Sequence, residues 1–593
     1  MVRNNKKQFI SPCRYACPLM RPIQRHNIIL GQLAKKVKVQ GDEKTFLNLY
    51  DEWFNFNPLF GICGYVCGIC EDFCNRLKVD EKVHIRLIER FLFDWYKDAV
   101  IKGKIPPYRS FNIFPLKEKV AIIGSGPAGL TAAFFLAKEG YQVTIFETKK
   151  RPGGALYLIP SFRLPKEVVN FVVDQIITPL NIKLELNTKI PITELKKDYK
   201  AIIIATGTPL PRPVPPFAKG FEGVESAIEI LSQISEGTID KGKYQGKQVV
   251  VIGGSGVAID VARSIRRLGA NVSLACLESE DRTSKDGILA NIEDERCGKE
   301  EGITFYYSYG LQKIEKENNK LKLIFIKCTS VYDLKDGIKI FNPQFDSSDT
   351  MFLTTNYLVF AIGQVPDREY LKEILDENGR LNVDPVTLAT SVEGIFVAGD
   401  VFRIGRVADA IKAGKKVAES VKHFLKNQDL KTNQEKKDFI VVELPCQIER
   451  IPKKPAQYPS FLPVEERLKG FSLQQRGLNL DEVILETSRC LHCDYCENCE
   501  ACIALGFREK VYKMYVIEEN CDGCGYCVDV CVYNAIKLIE YIKNGEIKKT
   551  VEINTMSCRG CGACQATCPK EGCAIPGFSI KELKAELEKH LHA

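Results

Sequence analysis

Cysteine is the residue whose spacing in this 593-residue chain most directly indicates chemistry, and its 24 copies are unevenly placed. Six lie between Cys13 and Cys74, and fourteen lie between Cys490 and Cys573. Thiols repeated at about three-residue spacing are typical ligands of iron–sulfur clusters and of structural zinc. In a reducing compartment, such groups indicate metal sites rather than disulfides.

The clearest of these groups are two quartets near the C-terminus, CDGCGYCVDVC and CRGCGACQATCP. A CxxCxxC loop binds three corners of a four-iron cubane, and the fourth thiolate comes from the other quartet. This crossing predicts one cluster on Cys521, Cys524, Cys527 and Cys568. It predicts a second cluster on Cys558, Cys561, Cys564 and Cys531. Cys573 is left over, and we expect it only to pack.

Five further cysteines recur at every third position of RCLHCDYCENCEAC, at Cys490, Cys493, Cys496, Cys499 and Cys502. A cubane or a tetrahedral zinc ion needs only four thiolates. One of the five is therefore surplus, and the sequence does not say which. We expect an iron–sulfur cluster here, as a relay beside the two ferredoxin-type clusters, with zinc as the alternative.

The N-terminal region holds a third group of thiols, which consists of Cys13, Cys17, Cys63, Cys67, Cys70 and Cys74. Their number and spacing predict one or two further 4Fe–4S clusters, again with zinc as the alternative.

Between the cysteine-rich ends, KVAIIGSGPAGLTAAFFLAKEGYQVTIFE predicts a strand, a glycine-rich turn, a helix and a second strand. The first glycine makes the turn, the second lets a pyrophosphate approach the backbone, and the third lets the helix pack on the strand. The helix N-terminus then faces the phosphates, and an acid after the second strand can bind a ribose. The residues predicted to bind this dinucleotide are Gly124, Gly126, Pro127, Ala128, Gly129 and Glu147.

The stretch QVVVIGGSGVAIDVARSIRRLGANVSLACLES repeats the same plan. Ser255 stands where the second glycine is usual and narrows the approach to the backbone, a departure that the neighbouring Gly256 can offset. The alternative is a degenerate unit that no longer binds a nucleotide. The predicted ligand-binding residues are Gly253, Gly254, Ser255, Gly256, Val257, Ala258 and Glu278.

Shorter motifs follow strands in the order expected of a flavoprotein. AIIIATG and LVFAIG each end a strand on a glycine, and EGIFVAGD places an acid where it can hold a flavin ribityl chain. The helix that begins in ADAIKAGKKVAESV is expected to point its N-terminus at the flavin ring. The residues concerned are Ala205, Thr206, Gly207, Ala361, Ile362, Gly363, Gly399, Asp400, Ala410 and Ile411. Two nucleotide sites in one chain predict FAD and a nicotinamide dinucleotide.

Together these motifs resemble the flavoprotein module of the glutamate synthase small subunit, dihydropyrimidine dehydrogenase and the large subunit of NADH-dependent ferredoxin:NADP oxidoreductase. The segment GGALYLIPSFRLPKEVV is similar to that family's GGxLxxGIPxFRLPK. The resemblance implies FAD contacts for Gly154, Leu156 and Arg163, and a nicotinamide domain inserted into a split FAD domain. No CxxC or CxxxxC pair lies near the flavin motifs, which disfavours a disulfide reductase.

The same resemblance implies that Cys17, Cys67 and Cys70 are ligands of the cluster nearer the flavin. In dihydropyrimidine dehydrogenase the fourth ligand of that cluster is a glutamine, and Glu89 falls near its position. Glu89 is therefore either an unusual carboxylate ligand or an ordinary residue on a helix surface.

Cys13 and Cys74 correspond to a second cluster, for which the family pattern CxxCxxxxCxxxCP supplies two upstream cysteines that are missing here. Cys63 is a candidate replacement for one of them. Far along the chain, DEVILETSRCLHC resembles the EAxRCLxC segments of iron–sulfur relatives of the glutamate synthase small subunit.

The choice between NADH and NADPH depends on the residues after the second strand of the second glycine motif. NADPH-using members of the family carry two arginines there, whereas this chain carries Leu277 and Glu278. A carboxylate accepts a hydrogen bond from a free 2′-hydroxyl and repels a 2′-phosphate, which predicts NAD(H). Arg282 is the rival, because it is the nearest cation that could reach a phosphate.

These motifs predict a multidomain α/β fold with a helical N-terminal iron–sulfur domain, two Rossmann-like domains for FAD and NAD, and a C-terminal α+β ferredoxin-like domain. The predicted boundaries are 1–112 for the helical domain, 113–242 and 345–425 for the FAD domain, 243–344 for the inserted NAD domain, 426–485 for a linker, 486–512 for the additional cysteine-rich segment and 513–593 for the ferredoxin-like domain.

Charge and hydropathy exclude other classes of protein. The net charge of +8 is mild, and no basic run with interleaved aromatics indicates nucleic-acid binding. The sequence contains no run of 18 apolar residues, so it predicts no membrane span. The start MVRNNKKQFISPCRY lacks the apolar core of a secretory signal, so we expect a cytoplasmic protein.

The predicted function is electron transfer between NAD(H), FAD, 4Fe–4S clusters and a partner, without an acid–base catalytic dyad. No amidotransferase segment, pyrimidine-site barrel, molybdopterin motif or thiamine motif is evident. We therefore expect a catalytic partner subunit, such as a 2-oxoacid, aldehyde or hydrogenase-type oxidoreductase or a glutamate synthase large subunit, or else ferredoxin. The alternatives are a stand-alone NADH:ferredoxin oxidoreductase and a non-catalytic electron-wiring scaffold.

Overall fold

The computed structural model describes residues 8–335, 338–431, 439–442, 448, 451–493, 514–543, 545–554, 558, 560–575, 584 and 588. The chain divides into two compact units, residues 1–23 with 30–491 and residues 24–29 with 492–593. Among the helices of the described residues, none is both long enough and apolar enough to cross a membrane.

The N-terminal region is helical and is built around an aromatic core. Tyr50 and Tyr96 stack with ring centroids 3.6 Å apart, and Phe60 packs edge-on against Trp53 and Phe93. These large buried rings fix the short helices that carry the cysteines. The helices are Pro12–Ala16, Ile23–Gln40, Leu47–Phe56, Phe60–Val66, Ile69–Asp72 and Ile85–Ile101.

The first nucleotide-binding domain contains a five-stranded parallel sheet. Its strands, in spatial order, are Ile395–Val397, Ala201–Ile204, Lys119–Ile123, Gln142–Phe146 and Lys183–Glu185. The strands Ala201–Ile204 and Ile395–Val397 are fully buried, as expected when helices cover both faces of a parallel sheet. The helices of this domain are Pro127–Lys138, Lys166–Ile177, Ile192–Leu195, Arg368–Leu371 and Val407–Leu425.

The second domain has its own five-stranded parallel sheet. Its strands, in spatial order, are Thr304–Tyr307, Asn271–Cys276, Gln248–Ile252, Tyr357–Phe360 and Val224–Ser226. The helices Ala227–Glu236, Gly256–Arg267 and Ile292–Glu300 belong to it. An antiparallel sheet follows, with strands Tyr309–Glu317, Lys320–Lys335 and Ile338–Thr355.

This second sheet extends beyond the predicted range 243–344. Tyr357–Phe360 pairs in parallel with Gln248–Ile252, and Val224–Ser226 pairs with Tyr357–Phe360 on its other side. The predicted boundary is corrected accordingly, because both outlying strands pair within the second sheet. The two domains are joined by strands Leu210–Pro211 and Gln364–Val365, which pair antiparallel.

Residues 451–491, here called the strap, correct the prediction of a linker over 426–485. The strap contains the helices Val464–Leu468 and Leu480–Thr487 and buries Arg467, Gln474 and Arg489. Buried polar side chains need bonding partners, and these three bind residues of other domains of the same unit. This part of the predicted linker is therefore a packed structural element.

The described residues of the C-terminal unit form two antiparallel strand pairs and two short helices. Ile536–Lys543 pairs with Glu546–Ile553, and Tyr515–Val516 pairs with Cys573–Ala574. The helices Tyr526–Asp529 and Ala563–Thr567 each follow a glycine with positive φ, +88° at Gly525 and +82° at Gly562. The two helices thus repeat one local geometry, as the two cysteine quartets do in sequence. Cys496, Cys499 and Cys502 lie outside the described residues.

The remaining described elements are short. Strand Gln8–Ile10 pairs in parallel with Phe439–Val441. The 3-10 helices are Glu43–Phe46, Asn75–Lys78, Gly154–Leu158, Pro216–Ala218, Lys372–Ile374 and Gly399–Val401.

Candidate functional site

The first glycine loop is tightly packed on one side and open on the other. Gly124 has a φ of +103°, and a Cβ there would stand 2.4 Å from the carbonyl oxygen of Ala205. A Cβ on Gly129 would stand 2.0 Å from the carbonyl oxygen of Gly124, which explains the close helix–strand packing. Gly126, by contrast, has no atom within 4 Å of its Cβ direction. The open space lies at the glycine where a pyrophosphate is expected.

Glu147 is held against this loop at the end of strand Gln142–Phe146. Its carboxylate accepts hydrogen bonds from the Ser125 N–H at 3.0 Å and from the Lys149 N–H at 2.8 Å. The Ser125 hydroxyl also donates to it, at 2.5 Å. The buried carboxylate is therefore fixed beside the glycine turn, where the ribose of a dinucleotide would lie.

The second half of the first domain completes this site. Gly399 has a φ of +77°, and a Cβ there would stand 3.0 Å from the Cβ of Ala128. Asp400 accepts a hydrogen bond from the Gly405 N–H at 3.1 Å, and burial raises the pKa of its carboxyl group. Helix Val407–Leu425, which carries Ala410 and the buried Ile411, begins just after this acid. Both halves of the split domain thus adjoin one loop.

The second glycine loop has the same construction. Gly253 has a φ of +139°, and a Cβ there would stand 2.6 Å from the carbonyl oxygen of Ala361. Gly256 begins the helix Gly256–Arg267 and has open space beyond it, so the departure at Ser255 leaves the helix N-terminus accessible. The N-terminus of this helix is thus open in the direction from which a phosphate would approach.

Glu278 and Arg282, the two residues that bear on cofactor choice, have different surroundings. A Cβ on Gly254 would stand 2.5 Å from a carboxylate oxygen of Glu278, so this acid packs on the glycine loop. Burial raises the pKa of Glu278. The Arg282 guanidinium binds Glu295 and the carbonyl oxygens of Ile288 and Ala290. The guanidinium of Arg282 is thus engaged by residues of its own domain.

The segment 153–163 links the two nucleotide domains. A Cβ on Gly154 would stand 2.8 Å from the Cα of Gly126, and Leu156 is buried. Arg163, for which the resemblance implies an FAD contact, binds Asp260 at 2.8 Å and Asp294 at 3.0 Å. In this structure its guanidinium therefore ties the first domain to the second.

A cleft of about 1060 Å³ joins three parts of the chain. Gly256 lines it from the second glycine loop, and Arg406 and Val407 line it from the start of helix Val407–Leu425. Cys67 lines it from the N-terminal region. The volume suits a dinucleotide-sized ligand.

Four thiols of the N-terminal region, Cys17, Cys63, Cys67 and Cys70, form one neighbourhood, here called the first thiol group. Cys63 and Cys67 are hydrogen-bonded, which lowers the pKa of Cys67 to about 6 and raises that of Cys63. Burial raises the pKa of Cys70, and the neighbouring Cys67 and Cys17 raise it further. Cys63 was considered above as a ligand of the second predicted cluster. It lies instead among the thiols of the first thiol group.

Glu89 lies beside the first thiol group and is buried. It forms an ion pair with Arg21 at 2.8 Å. Burial raises the pKa of Glu89 to about 7, although Arg21 opposes the shift. The interpretation of Glu89 as an ordinary surface residue is therefore wrong, because its helix, Ile85–Ile101, turns this position toward the cysteines.

In the C-terminal unit, one small pocket is lined by five cysteines, Cys521, Cys524, Cys527, Cys568 and Cys573. The first four are the thiols that the crossing pattern groups together. Backbone N–H groups donate to sulfur in both quartets, from Ala535 to Cys531 at 3.3 Å and from Gly572 to Cys568 at 3.1 Å. Such hydrogen bonds to sulfur are characteristic of cluster ligands.

The leftover Cys573 is buried, and its thiol donates to the carbonyl oxygen of Cys564 at 3.3 Å. Throughout the residues that the structure describes, no three Cys, His, Asp or Glu side chains converge as ligands of a single ion do. The four thiolates of a cubane bind different iron atoms and need no such convergence.

Comparison with known proteins identifies the family. A family model described as pyridine nucleotide-disulphide oxidoreductase matches residues 118–414, which is half of the chain. The chain belongs to this family. Between these residues the chain holds no CxxC pair, so the family's nucleotide-binding plan is present here without a CxxC redox disulfide. A second model, described as a 4Fe-4S dicluster domain, matches residues 520–571. The two matches indicate FAD, a nicotinamide dinucleotide and 4Fe–4S clusters.

Individual relatives of this oxidoreductase chain are named as subunits. The NADP(+)-dependent formate dehydrogenase subunit beta of Moorella thermoacetica is 31% identical over 73% of this chain and 65% of its own length. The NAD-dependent dihydropyrimidine dehydrogenase subunit PreT of Salmonella typhimurium is 28% identical over 70% of this chain and 91% of its own. Among solved structures, thioredoxin reductase of Lactococcus lactis is 22% identical over 52% of this chain and 100% of its own, with a TM-score of 0.39. The chain thus spans just under two thirds of the formate dehydrogenase relative.

Proposed function

We propose that this protein is the electron-transfer subunit of a larger oxidoreductase, and that it moves electrons between NAD(H) and a partner through FAD and 4Fe–4S clusters. The observation that carries this proposal is the cleft lined at once by Gly256, Arg406 and Cys67. A nicotinamide loop, a flavin-side helix and a cluster cysteine therefore border one space.

The chain's own residues position the reactants and need no acid–base dyad for this role. When bound, FAD supplies the conversion between a two-electron hydride and single electrons. The two helix N-termini orient the phosphates of both dinucleotides. The Arg163 ion pairs with Asp260 and Asp294 fix one nucleotide domain against the other, which favours a productive geometry.

The test of this proposal is anaerobic addition of NADH to the purified full-length protein while the flavin absorbance is followed. We expect the flavin band to bleach within the mixing time of a stopped-flow instrument. Absence of bleaching with both NADH and NADPH would instead support the scaffold alternative, in which the Ser255 site is degenerate.

NAD(H) is the proposed dinucleotide because Glu278 adjoins the glycine loop whereas Arg282 is engaged by Glu295. The names of the relatives include both NAD and NADP, so they do not decide between the two. A carboxylate at this position favours a free 2′-hydroxyl over a phosphate.

Replacing Glu278 with glutamine should raise the KM for NADH by about tenfold or more, since one hydrogen bond to a charged group is worth roughly 1.5–3 kcal/mol and about 1.4 kcal/mol corresponds to a factor of ten. The kcat should change little, because the ribose contact is made equally before and during reaction. Steady-state kinetics with both dinucleotides would measure this. Glu280→Gln is the matched control, because Glu280 pairs with Lys299 at the exposed surface. Preference of the wild-type protein for NADPH would contradict the assignment.

The proposed partner is a catalytic subunit that exchanges low-potential electrons, of the 2-oxoacid, aldehyde, hydrogenase or glutamate synthase type, or else ferredoxin. The support is that both cited relatives are named as subunits. Purification of the tagged protein from its native host, with identification of a stoichiometric second chain, tests this. Recovery of the chain alone, together with rapid ferredoxin reduction, would favour a stand-alone NADH:ferredoxin oxidoreductase.

A further inference from the structure

The residue that follows Cys74 is hydrogen-bonded to a second segment, and that segment is hydrogen-bonded to the chain just before Cys13. The Asn75 side-chain amide donates to the carbonyl oxygen of Val442 at 3.1 Å. Val442 in turn donates its backbone N–H to the carbonyl oxygen of Ile10 at 2.8 Å. Ile10 lies three residues before Cys13. One residue, Val442, therefore ties the chain around Cys13 to the chain around Cys74.

Helix packing brings the same two cysteines together. Cys13 lies on helix Pro12–Ala16, which packs against helix Ile69–Asp72. Cys74 follows the second of these helices, and its N–H donates to the carbonyl oxygen of Glu71 at 3.1 Å. Two helices in direct contact thus carry Cys13 and lead into Cys74.

A third cysteine, Cys490 of the strap, lies near Cys74. Arg76 donates from Nη1 to the carbonyl oxygen of Arg489 at 3.1 Å. Arg76 and Arg489 both bind the carboxylate of Asp80, at 2.6 Å and 3.2 Å. Both guanidinium groups are buried. Because these bonds fix the backbone on either side, Cys490 begins beside the turn that carries Cys74.

Two buried guanidinium groups lie beside these thiols. Cys13, Cys74 and Cys490 are each only partly exposed. Arg76 and Arg489 are balanced by the carboxylates of Asp80 and Glu486, so the ion pairs fix the geometry of this neighbourhood rather than give it a net charge.

We propose that Cys13, Cys74 and Cys490 are ligands of one 4Fe–4S cluster. This rests on the proposed function, which requires clusters but does not assign these ligands. The first thiol group already contains four cysteines without drawing on any of these. Three distant segments, rather than one continuous motif, therefore supply the ligands.

The assignment changes the interpretation of the segment RCLHCDYCENCEAC. Its first cysteine, Cys490, leaves the group of five, and the last three lie outside the described residues. The new cluster also adjoins the first thiol group, because Cys13 and Cys17 share one short helix and its C-cap, and Cys70 and Cys74 lie on and just after another. Two adjacent clusters give a relay at the N-terminal domain.

The test compares Cys74→Ala, Cys490→Ala and the double variant in the full-length protein, purified without oxygen. Iron and acid-labile sulfide are counted per flavin, and the reduced clusters are examined by EPR. Each single variant should lose the iron of one cluster and the same EPR signal. The double variant should lose no more than either single one. Cys328→Ala, a buried cysteine of the antiparallel sheet, is the control and should retain all iron.

Two outcomes would overturn the assignment. One is that the single variants lose different signals and the double variant loses the iron of two clusters, which would return Cys490 to a cluster within 490–502. The other is that either single variant keeps its full iron content. Neither outcome depends on reduction by NADH, so failure of this assignment and failure of the proposed function are distinguishable.

A second measurement needs no substitution and so remains decisive if the variants fail to fold. Clusters of the wild-type protein are removed in steps with a chelator, and exposed thiols are alkylated and located by mass spectrometry. Cys13, Cys74 and Cys490 should become reactive in the same step. Labelling of Cys490 and Cys74 in separate steps would contradict a shared cluster.

Discussion

Replacement of Glu301 by glutamine should destabilise the protein by about 3–5 kcal/mol, the usual cost of breaking a buried ion pair by removing one partner. The carboxylate is fully buried and binds Arg263 and Arg267, whose guanidinium groups are fully buried as well. Glutamine has the same shape but no charge. Arg267 would then lose its counter-charge and Arg263 would keep only the longer contact with Asp294 at 3.7 Å, while no cavity is created.

The effect should extend beyond one domain, because this network joins three parts of the chain. Phe162 of the first domain lies under Arg267, with the guanidinium 3.8 Å from the ring centroid. Gln474 of the strap accepts from Arg263, and its N–H donates to the carbonyl oxygen of Phe162 at 3.0 Å. We therefore expect the relative placement of the two nucleotide domains to loosen along with the fold.

The measurement is the denaturant midpoint of the anaerobically purified holoprotein, followed by flavin fluorescence and circular dichroism. The matched control is Glu466→Gln, which removes the same charge from an exposed pair with Lys469 and should leave the midpoint unchanged. Equal midpoints for Glu301→Gln and the wild-type protein would contradict a stabilising role for the network.

The stabilisation by Glu301 should also depend on pH in a defined direction. Burial opposes ionisation, but Arg263 and Arg267 lower the pKa of Glu301 in the folded protein below its ordinary value. A lowered folded-state pKa gives stability that is fully present above the unfolded value, about 4.3, and is lost as the pH falls through the folded value. The difference between wild-type protein and Glu301→Gln should therefore persist at neutral pH and shrink in acid.

The Glu301 network also shows why the strap could not be predicted from sequence. Residues 451–491 are polar and proline-containing, with weak periodicity, which is the usual signature of a linker. Their partners are remote in sequence, as when Arg489 binds Asp80 or Arg467 binds Glu300. The sequence around a charged residue does not indicate whether it will form a buried ion pair with a residue that lies far away along the chain.

Glu89 was open to misinterpretation for a similar reason. Its helix is amphipathic, but the apolar face alone does not say that a glutamate on its margin will be buried with Arg21. By contrast, both glycine loops could be located from sequence, because each needs glycines at fixed offsets between a strand and a helix. Local backbone geometry can be predicted from the local sequence, whereas buried polar pairs can be identified only from the tertiary structure.

The largest functional effect is expected for Gly126→Ala, which should weaken FAD binding by an order of magnitude or more. In the structure a Cβ at this position has no atom within 4 Å, and its φ of −69° suits any residue. The substitution therefore costs the fold little. A bound pyrophosphate, however, must approach this backbone closely, and a loss of about 1.4 kcal/mol already weakens binding tenfold.

Gly470→Ala separates this ligand effect from a general effect of replacing glycine. Gly470 also has no atom within 4 Å of its Cβ direction, but it lies in the strap and belongs to neither glycine loop. Flavin content after purification and the FAD dissociation constant of the deflavinated protein are the measurements, with circular dichroism to show that both variants fold. Loss of flavin from Gly126→Ala alone would mean that open space at the second glycine belongs to the dinucleotide. Equal flavin content in the two variants would remove Gly126 from the FAD site and leave that role to Gly124, Gly129 and Glu147.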